Sequence, residues 1–268
     1  MEAGSEGTLD FSTLDDLAFA ADRGRLGRST IPILSAVDVG PLVEMASLAS
    51  GGLLPGLLAA PWLRLGGLAP MVQELRDRRT KWVCPRTQQM GFMQLGSQQP
   101  SDERGWASFG MQVQRAAMGA GFLKGTASQL TAALGEMYSN IYEHSGKSET
   151  GVIAFRGAQG VFEFVASDRG IGVLESLRSC SEYRDIDDHG DALRLALREG
   201  VSRFGSAANR GHGFDAMFVG LANLNGNLRL RSGDHALVMD GRNPSAVRAC
   251  SEQKAKLEGL VISVKCER

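Results

Sequence analysis

The second part of the chain, residues 105–268, carries helical and strand-like patterns in an order that limits its fold. Apolar residues spaced three and four apart predict helices, and alternating apolar residues predict strands. The predicted helices are 106–118, 126–144, 191–199 and 214–224, and the predicted strands are 151–156, 161–167, 228–232, 235–240 and 260–265. This set predicts an α+β fold, a two-layer α/β sandwich in which helices cover a mixed, largely antiparallel sheet.

A polar segment rich in turn-forming residues, 96–105, predicts the boundary with an N-terminal region, residues 1–104. In that region Pro70 opens a helical pattern over 71–80, because proline suits the first turn of a helix. The segment 38–68 is apolar but interrupted by Gly and Pro, and it indicates neither a helix nor a strand. We expect the N-terminal region to be folded and to face a partner, in a role that the sequence does not disclose.

Composition narrows the class of protein. Lys and Arg total 29 and Asp and Glu total 30, a net charge of −1 that indicates neither nucleic acid nor an anionic membrane as a partner. The most apolar run, 52–63, is shorter than the roughly 20 residues that a spanning helix needs. The acidic N-terminus lacks a signal-peptide pattern, and the four cysteines lack metal-site spacing and predict free thiols. We therefore expect a cytoplasmic protein.

Three polar residues share one edge of the predicted helix 126–144. Glu136, Asn140 and His144 lie at i, i+4 and i+8. They flank a predicted core stripe of Leu130, Leu134, Met137 and Ile141. A carboxylate at this edge can take a proton from water or a hydroxyl, and an amide oxygen is a hard ligand suited to Mg²⁺. The alternative is an ordinary amphipathic helix with polar edges.

A D-x-G-x-G motif, formed by Asp168, Gly170 and Gly172, follows the predicted strand 161–167. An Asp that ends a strand can accept a hydrogen bond from an exocyclic amine, and the glycines let a ligand approach the backbone. The alternative is a tight turn that merely ends the strand.

A glycine-rich segment, 200–213, leads into the predicted helix 214–224. Backbone N–H groups at a helix N-terminus bind phosphate oxygens, and Arg210 adds a charged contact. The alternative is a mobile surface loop followed by a helix start.

In this order and at these separations, the three motifs resemble those of the GHKL superfamily. That superfamily includes the ATP-binding domains of histidine kinases, gyrase B subunits, MutL proteins and anti-sigma-factor serine kinases. The resemblance covers residues 105–268 and is nearest to the anti-sigma-factor kinase and gyrase/MutL branches; 224–233 resembles the strand after the lid and 258–264 the final strand. It implies a GHKL (Bergerat) sandwich with ATP and Mg²⁺ as cofactors.

The resemblance also implies roles for individual residues. Asn140 would coordinate the Mg²⁺ that bridges the phosphates, and Asp168 would recognise the adenine amino group. Gly170 and Gly172 would shape the floor of the pocket. Glu136 matches the position of the general base in the gyrase, MutL and anti-sigma branches.

Further nucleotide contacts follow from the same resemblance. His144 lies on the helix that carries Asn140, and the remaining contacts lie in an implied lid over 205–213 and at its end. These lid contacts are Arg210, Gly211, His212, Gly213 and Phe214.

The chain departs from the family pattern at three positions. Arg169 replaces a frequent Asn, Glu143 stands where kinases often carry a basic residue, and Leu260 stands where a Thr commonly supports the adenine site.

All four histidines lie at or after His144, so no acceptor histidine precedes the motifs. We therefore do not expect a complete histidine kinase.

The resemblance favours a protein that hydrolyses ATP, or phosphorylates Ser or Thr of a partner protein, in a regulatory pathway. An ATP-gated interaction module without useful catalysis is the first alternative. The second is a degenerate GHKL fold that binds no nucleotide. A regulatory protein is the expected partner, and a homodimer is compatible with the sequence.

Overall fold

The structure is a computed structural model that describes residues 6–27, 31–77, 79–100, 104–197, 226–240 and 250–268. The helices within these ranges are α1 (Phe11–Asp22), α2 (Val39–Ser50), α3 (Ala69–Arg76), α4 (Arg104–Gly119), α5 (Lys124–His144), α6 (Gly172–Arg178) and α7 (His189–Ala196). The strands are β1 (Gly7–Thr8), β2 (Leu34–Ser35), β3 (Leu63–Arg64), β4 (Lys81–Val83), β5 (Met90–Gln94), β6 (Val152–Ala158), β7 (Val161–Asp168), β8 (Gly226–Asp240) and β9 (Cys250–Glu267).

A six-stranded sheet forms the centre of the fold, with strand order β4-β5-β6-β7-β9-β8. All its neighbouring strands pair antiparallel. The β6–β7 hairpin closes at Gly160, whose φ of 74° is a conformation that glycine adopts without strain. β1, β2 and β3 form a separate small parallel sheet. The predicted α+β class and the largely antiparallel sheet are confirmed.

Helices α4 and α5 cover one face of the sheet. Alternate residues of β7, Phe162 and Phe164, are fully buried on this face. Phe109 of α4 packs edge-on against Phe155 of β6, with ring centroids 5.5 Å apart. The stripe predicted for α5 is buried as expected, at Leu130, Leu134, Met137 and Ile141.

Helices α1 and α2 cover the opposite face. Val165 of β7 and Val261 of β9 share an apolar cluster with Leu42 of α2. Gly40 permits a close approach, because a Cβ at this position would lie 2.2 Å from Ser263 Oγ of β9. The sheet therefore carries helices on both faces, and the N-terminal region adds a third layer to the two that the sequence predicts.

Buried charges join these N-terminal helices to β8 and β9. Glu44 of α2 accepts hydrogen bonds from Arg229 Nε and Nη2, both at 2.9 Å, and from Arg231 Nη1 at 2.8 Å. Asp15 of α1 accepts from Arg229 Nη2 at 2.6 Å and from Lys254 Nζ at 2.9 Å. Burial alone would lower the pKa of Arg229, but the carboxylates of Glu44 and Asp15 outweigh burial and raise it. The five side chains form one ionic network between the N-terminal helices and the sheet.

A second polar link lies at the start of α2. The carboxylate of Glu163, only 2% exposed on β7, accepts from Val39 N at 2.9 Å and from Arg156 Nη1 at 2.7 Å. Burial, and then the negative charge of Asp38, raise the pKa of Glu163 to about 7. This link is therefore sensitive to pH near neutrality.

Several predicted helices and strands differ from the observed ones in where they begin or end. The helix predicted at 71–80 is α3, which ends at Arg76. The helix predicted at 191–199 is α7, which starts earlier because Asp188 Oδ1 caps it by accepting from Asp191 N at 2.7 Å. The two strands predicted at 228–240 form the single strand β8, with irregular pairing around Gly233. α6 was not predicted, and the helix predicted at 214–224 lies outside the described residues.

The boundary predicted at residues 104/105 falls between strands of one sheet. β4 and β5 precede this position, yet β5 pairs with β6, which follows it. Strands from both sides of residue 104 therefore build the six-stranded sheet.

The cysteines were predicted to be free thiols. Cys84, Cys180 and Cys266 are free. Burial raises the pKa of the Cys266 thiol to about 12. Across the described ranges, the helices are all too short or too polar to cross a membrane.

Candidate functional site

Asp168 ends β7 at the centre of the sheet. It pairs with Leu260 of β9, and only 3% of its surface is exposed. Its Oδ1 accepts from Gly170 N at 2.8 Å. Burial raises the pKa of Asp168 to about 6, and the hydrogen bond from Gly170 opposes that rise. The D-x-G-x-G segment is thus a turn organised around a buried carboxylate.

The turn packs directly against the end of α5. Ser145 follows the last residue of α5, and its carbonyl oxygen accepts from Ile171 N at 2.9 Å. A Cβ on Gly170 would lie 2.0 Å from that same oxygen, so only glycine fits this contact. Gly146, with a φ of 70°, reverses the chain after the helix, a conformation that glycine adopts without strain. The D-x-G-x-G turn therefore packs against the C-terminal end of the helix that carries the first motif.

A neighbouring turn holds the next amide of the motif. Thr150 Oγ1 accepts from Arg169 N at 2.9 Å and donates to Lys147 O at 2.7 Å. Arg169 therefore contributes a backbone contact to this loop. The bond fixes the turn relative to the segment that joins α5 to β6.

The far side of the turn contacts β8 and β9. Ser232 Oγ accepts from Val173 N at 3.0 Å and donates to Gly259 O at 2.7 Å. Gly172 and Gly259 both have a φ of 76°. A Cβ on Gly259 would lie 2.1 Å from Asp168 O, so β9 can approach the turn only through glycine.

The polar edge of α5 reaches the neighbourhood of this turn at its last residue, His144. Glu136 is exposed, and Asn140 and His144 are half-buried. Ser176 Oγ of α6 lies 3.5 Å from His144 Nδ1. Because α6 begins at Gly172, the contact ties the predicted edge of α5 to the helix that follows the D-x-G-x-G turn.

The third motif lies outside the described residues. This applies to the segment 200–213 and to the predicted lid contacts Arg210, Gly211, His212, Gly213 and Phe214. Within the ranges that the structure describes, His, Cys, Asp and Glu form no cluster of three or more suited to a metal ion.

Sequence reasoning missed three residues that hold the turn. Ser145 and Thr150 each bond to an amide of the turn, and Ser232 bonds to the amide of Val173, which directly follows the turn. Ser145 acts through its backbone, which leaves no side-chain signal. Ser232 does carry a signal, since the two-residue period of β8 places it on the same face as the buried Leu228 and Leu230. A serine at a core-facing position of a strand indicates a specific hydrogen bond.

Comparison with known proteins gives no independent assignment. Profiles of known protein families do not match the chain, and a search of curated proteins finds no similar sequence. Any proposal for the function of this chain therefore depends on the residues and on the geometry described above.

Proposed function

We propose that the chain is an ATP- and Mg²⁺-binding protein of the GHKL type, which hydrolyses ATP or phosphorylates Ser or Thr of a partner protein. The observation that carries the proposal is the junction between α5 and the D-x-G-x-G turn. There, Ile171 N bonds to Ser145 O at 2.9 Å, and Gly170 fits against the same residue. The end of the helix that carries the first motif and the D-x-G-x-G turn are thus adjacent in the fold.

The residues at this junction fit the base end of an adenine nucleotide. Asp168 is a buried acceptor at the end of a strand; it already accepts from Gly170 N, and a carboxylate has lone pairs for a further donor. The adenine amino group is such a donor. Gly170 and Gly172 let the turn pack closely against Ser145 and Ser232, which fixes the backbone beside Asp168.

The edge of α5 fits the phosphate end. Asn140, half-buried on α5, carries an amide oxygen that would serve as a ligand of Mg²⁺. When bound, Mg²⁺ supplies charge stabilisation to the phosphates during phosphoryl transfer. His144, one turn further along, lies on the same edge and would contact the nucleotide.

Glu136 is the general base in this proposal. It lies one helical turn before Asn140 on the same edge and is exposed to solvent. Its carboxylate takes the proton of the attacking water or hydroxyl and holds it away from the phosphate. If water attacks the phosphate, the reaction is hydrolysis. If a hydroxyl of a partner protein attacks it, the reaction is protein phosphorylation.

Turnover of the Glu136→Ala variant tests this role. We expect the rate of ADP release to fall by about a hundredfold or more and the affinity for Mg·ATP to stay unchanged. Glu149→Gln, at an exposed carboxylate in the loop after α5, is the matched control and should keep wild-type turnover. Wild-type turnover in Glu136→Ala would refute the general-base role.

A second candidate is an ATP-gated interaction module without useful catalysis. The exposure of Glu136 favours it, because a general base acts best where water is excluded from the reacting atoms. One molar equivalent of bound ATP without ADP release, with and without a partner protein, would support this candidate over the first.

A further inference from the structure

Ser232 lies where three parts of the candidate site meet. Its hydroxyl accepts from Val173 N at the start of α6 and donates to Gly259 O of β9. The side chain is 1% exposed, so these partners replace water for the hydroxyl. Loss of the hydroxyl would leave a buried N–H and a buried C=O without this partner.

The contacts around Ser232 leave little room for displacement. A Cβ on Gly172 would lie 2.7 Å from Ser232 Oγ, which places the last glycine of the D-x-G-x-G motif directly against the hydroxyl. Because Gly172 starts α6, any shift of the hydroxyl moves the start of that helix.

Gly259 carries the same constraint to Asp168. Its Cα lies so near the strand end that a Cβ would be 2.1 Å from Asp168 O and 2.7 Å from Arg169 Cα. The hydroxyl of Ser232 thus holds the backbone of Gly259, and Gly259 in turn packs against the backbone of Asp168.

We infer that Ser232 is a positioning residue of the nucleotide site, which holds Gly259 and the start of α6 in place around Asp168 and so sets the affinity for adenine nucleotides. This inference rests on the proposed function. Ser232 is directly opposite Leu260 in the β8–β9 pairing, and Leu260 pairs in turn with Asp168 across β7 and β9, so the hydroxyl lies in register with the carboxylate.

Calorimetric titration of the full chain with Mg·ATP and Mg·GTP tests the inference. We expect Ser232→Ala to raise the Kd for Mg·ATP by about tenfold, because one buried hydrogen-bonding pair is lost. The preference for ATP over GTP should fall as well, because Asp168 is no longer fixed against the base. A purely structural role would lower the melting temperature and leave both the Kd and this preference unchanged.

Ser263→Ala is the matched control. Ser263 is a buried serine on β9, but it faces α2 near Gly40 on the other side of the sheet. We expect its Kd to stay within about twofold of the wild-type value. A tenfold loss in this control as well would overturn the inference, because any buried serine of the sheet would then have the same effect.

Hydrogen exchange in the wild-type chain gives a second readout if Ser232→Ala does not fold. The amide of Val173 should exchange more slowly when Mg·ATP is bound, since nucleotide and hydroxyl hold the same turn. An unchanged rate contradicts the inference. A wild-type chain that binds no nucleotide overturns both the inference and the proposed function, whereas equal affinities of the wild type and Ser232→Ala overturn the inference alone.

Discussion

Replacement of Glu44 by Gln tests how the N-terminal helices are held on the sheet. Glu44 is fully buried and accepts three hydrogen bonds, two from Arg229 and one from Arg231. Gln has the same shape but no charge, so Asp15 alone would face the two guanidinium groups and Lys254. Removing one partner of a buried ion pair costs about 3–5 kcal/mol, because the remaining charge is buried without compensation.

Urea and thermal unfolding, followed by circular dichroism, measure this loss. For a chain of this size, about 3–5 kcal/mol corresponds to a fall in Tm of roughly 6–20 °C. The control is Glu175→Gln, which removes an exposed pair with Arg178 at 3.2 Å and should change stability by less than about 1 kcal/mol. A loss below about 1 kcal/mol in Glu44→Gln would refute the view that this network fixes the N-terminal helices.

Three further predictions concern the turn and the buried carboxyl groups. Gly170→Ala places a methyl group 2.0 Å from Ser145 O, so it should lower stability by about 1–3 kcal/mol and abolish heat release with Mg·ATP. For Glu163, burial raises the pKa from 4.5 to about 7, so its contribution to stability is full below pH 4.5 and is lost as the pH rises through 7. Urea midpoints at pH 5 and pH 8 should show this loss in the wild type and not in Glu163→Gln. Burial raises the pKa of Asp168 to about 6, and protonation would turn one of its acceptor oxygens into an O–H donor. The Kd for Mg·ATP should therefore rise by up to about tenfold per pH unit below pH 6, an effect absent from Asp168→Asn.

Sequence patterns were sufficient to predict a helix or strand where one face of the element is buried. α4 and α5 show helical periodicity because each packs one side on the sheet, and β7 alternates phenylalanines toward those helices. α2 gave no such signal. Its residues are buried nearly all round, from Val39 to Met45, so apolar positions do not follow a period.

The candidate site was predictable only in part. The carboxylate and glycines of the D-x-G-x-G motif have recognisable residue types, so Asp168, Gly170 and Gly172 could be selected before the fold was known. The contacts that hold them could not. Ser145 acts through its carbonyl, and Ser232 comes from a strand distant in sequence. α6 escaped prediction because it is short and starts at a glycine with positive φ.

Calorimetric titration with Mg·ATP of the wild type, Asp168→Asn and Glu163→Gln tests the proposed nucleotide site most directly. Asp168 and Glu163 are buried carboxylates of the same strand, and burial raises the pKa of each. Glu163 faces α2 through Val39, away from the candidate site. Saturable heat is expected for the wild type and Glu163→Gln, and at least about tenfold weaker binding for Asp168→Asn. No heat in the wild type, or equal binding by the wild type and Asp168→Asn, would contradict the assignment of this site to adenine nucleotides.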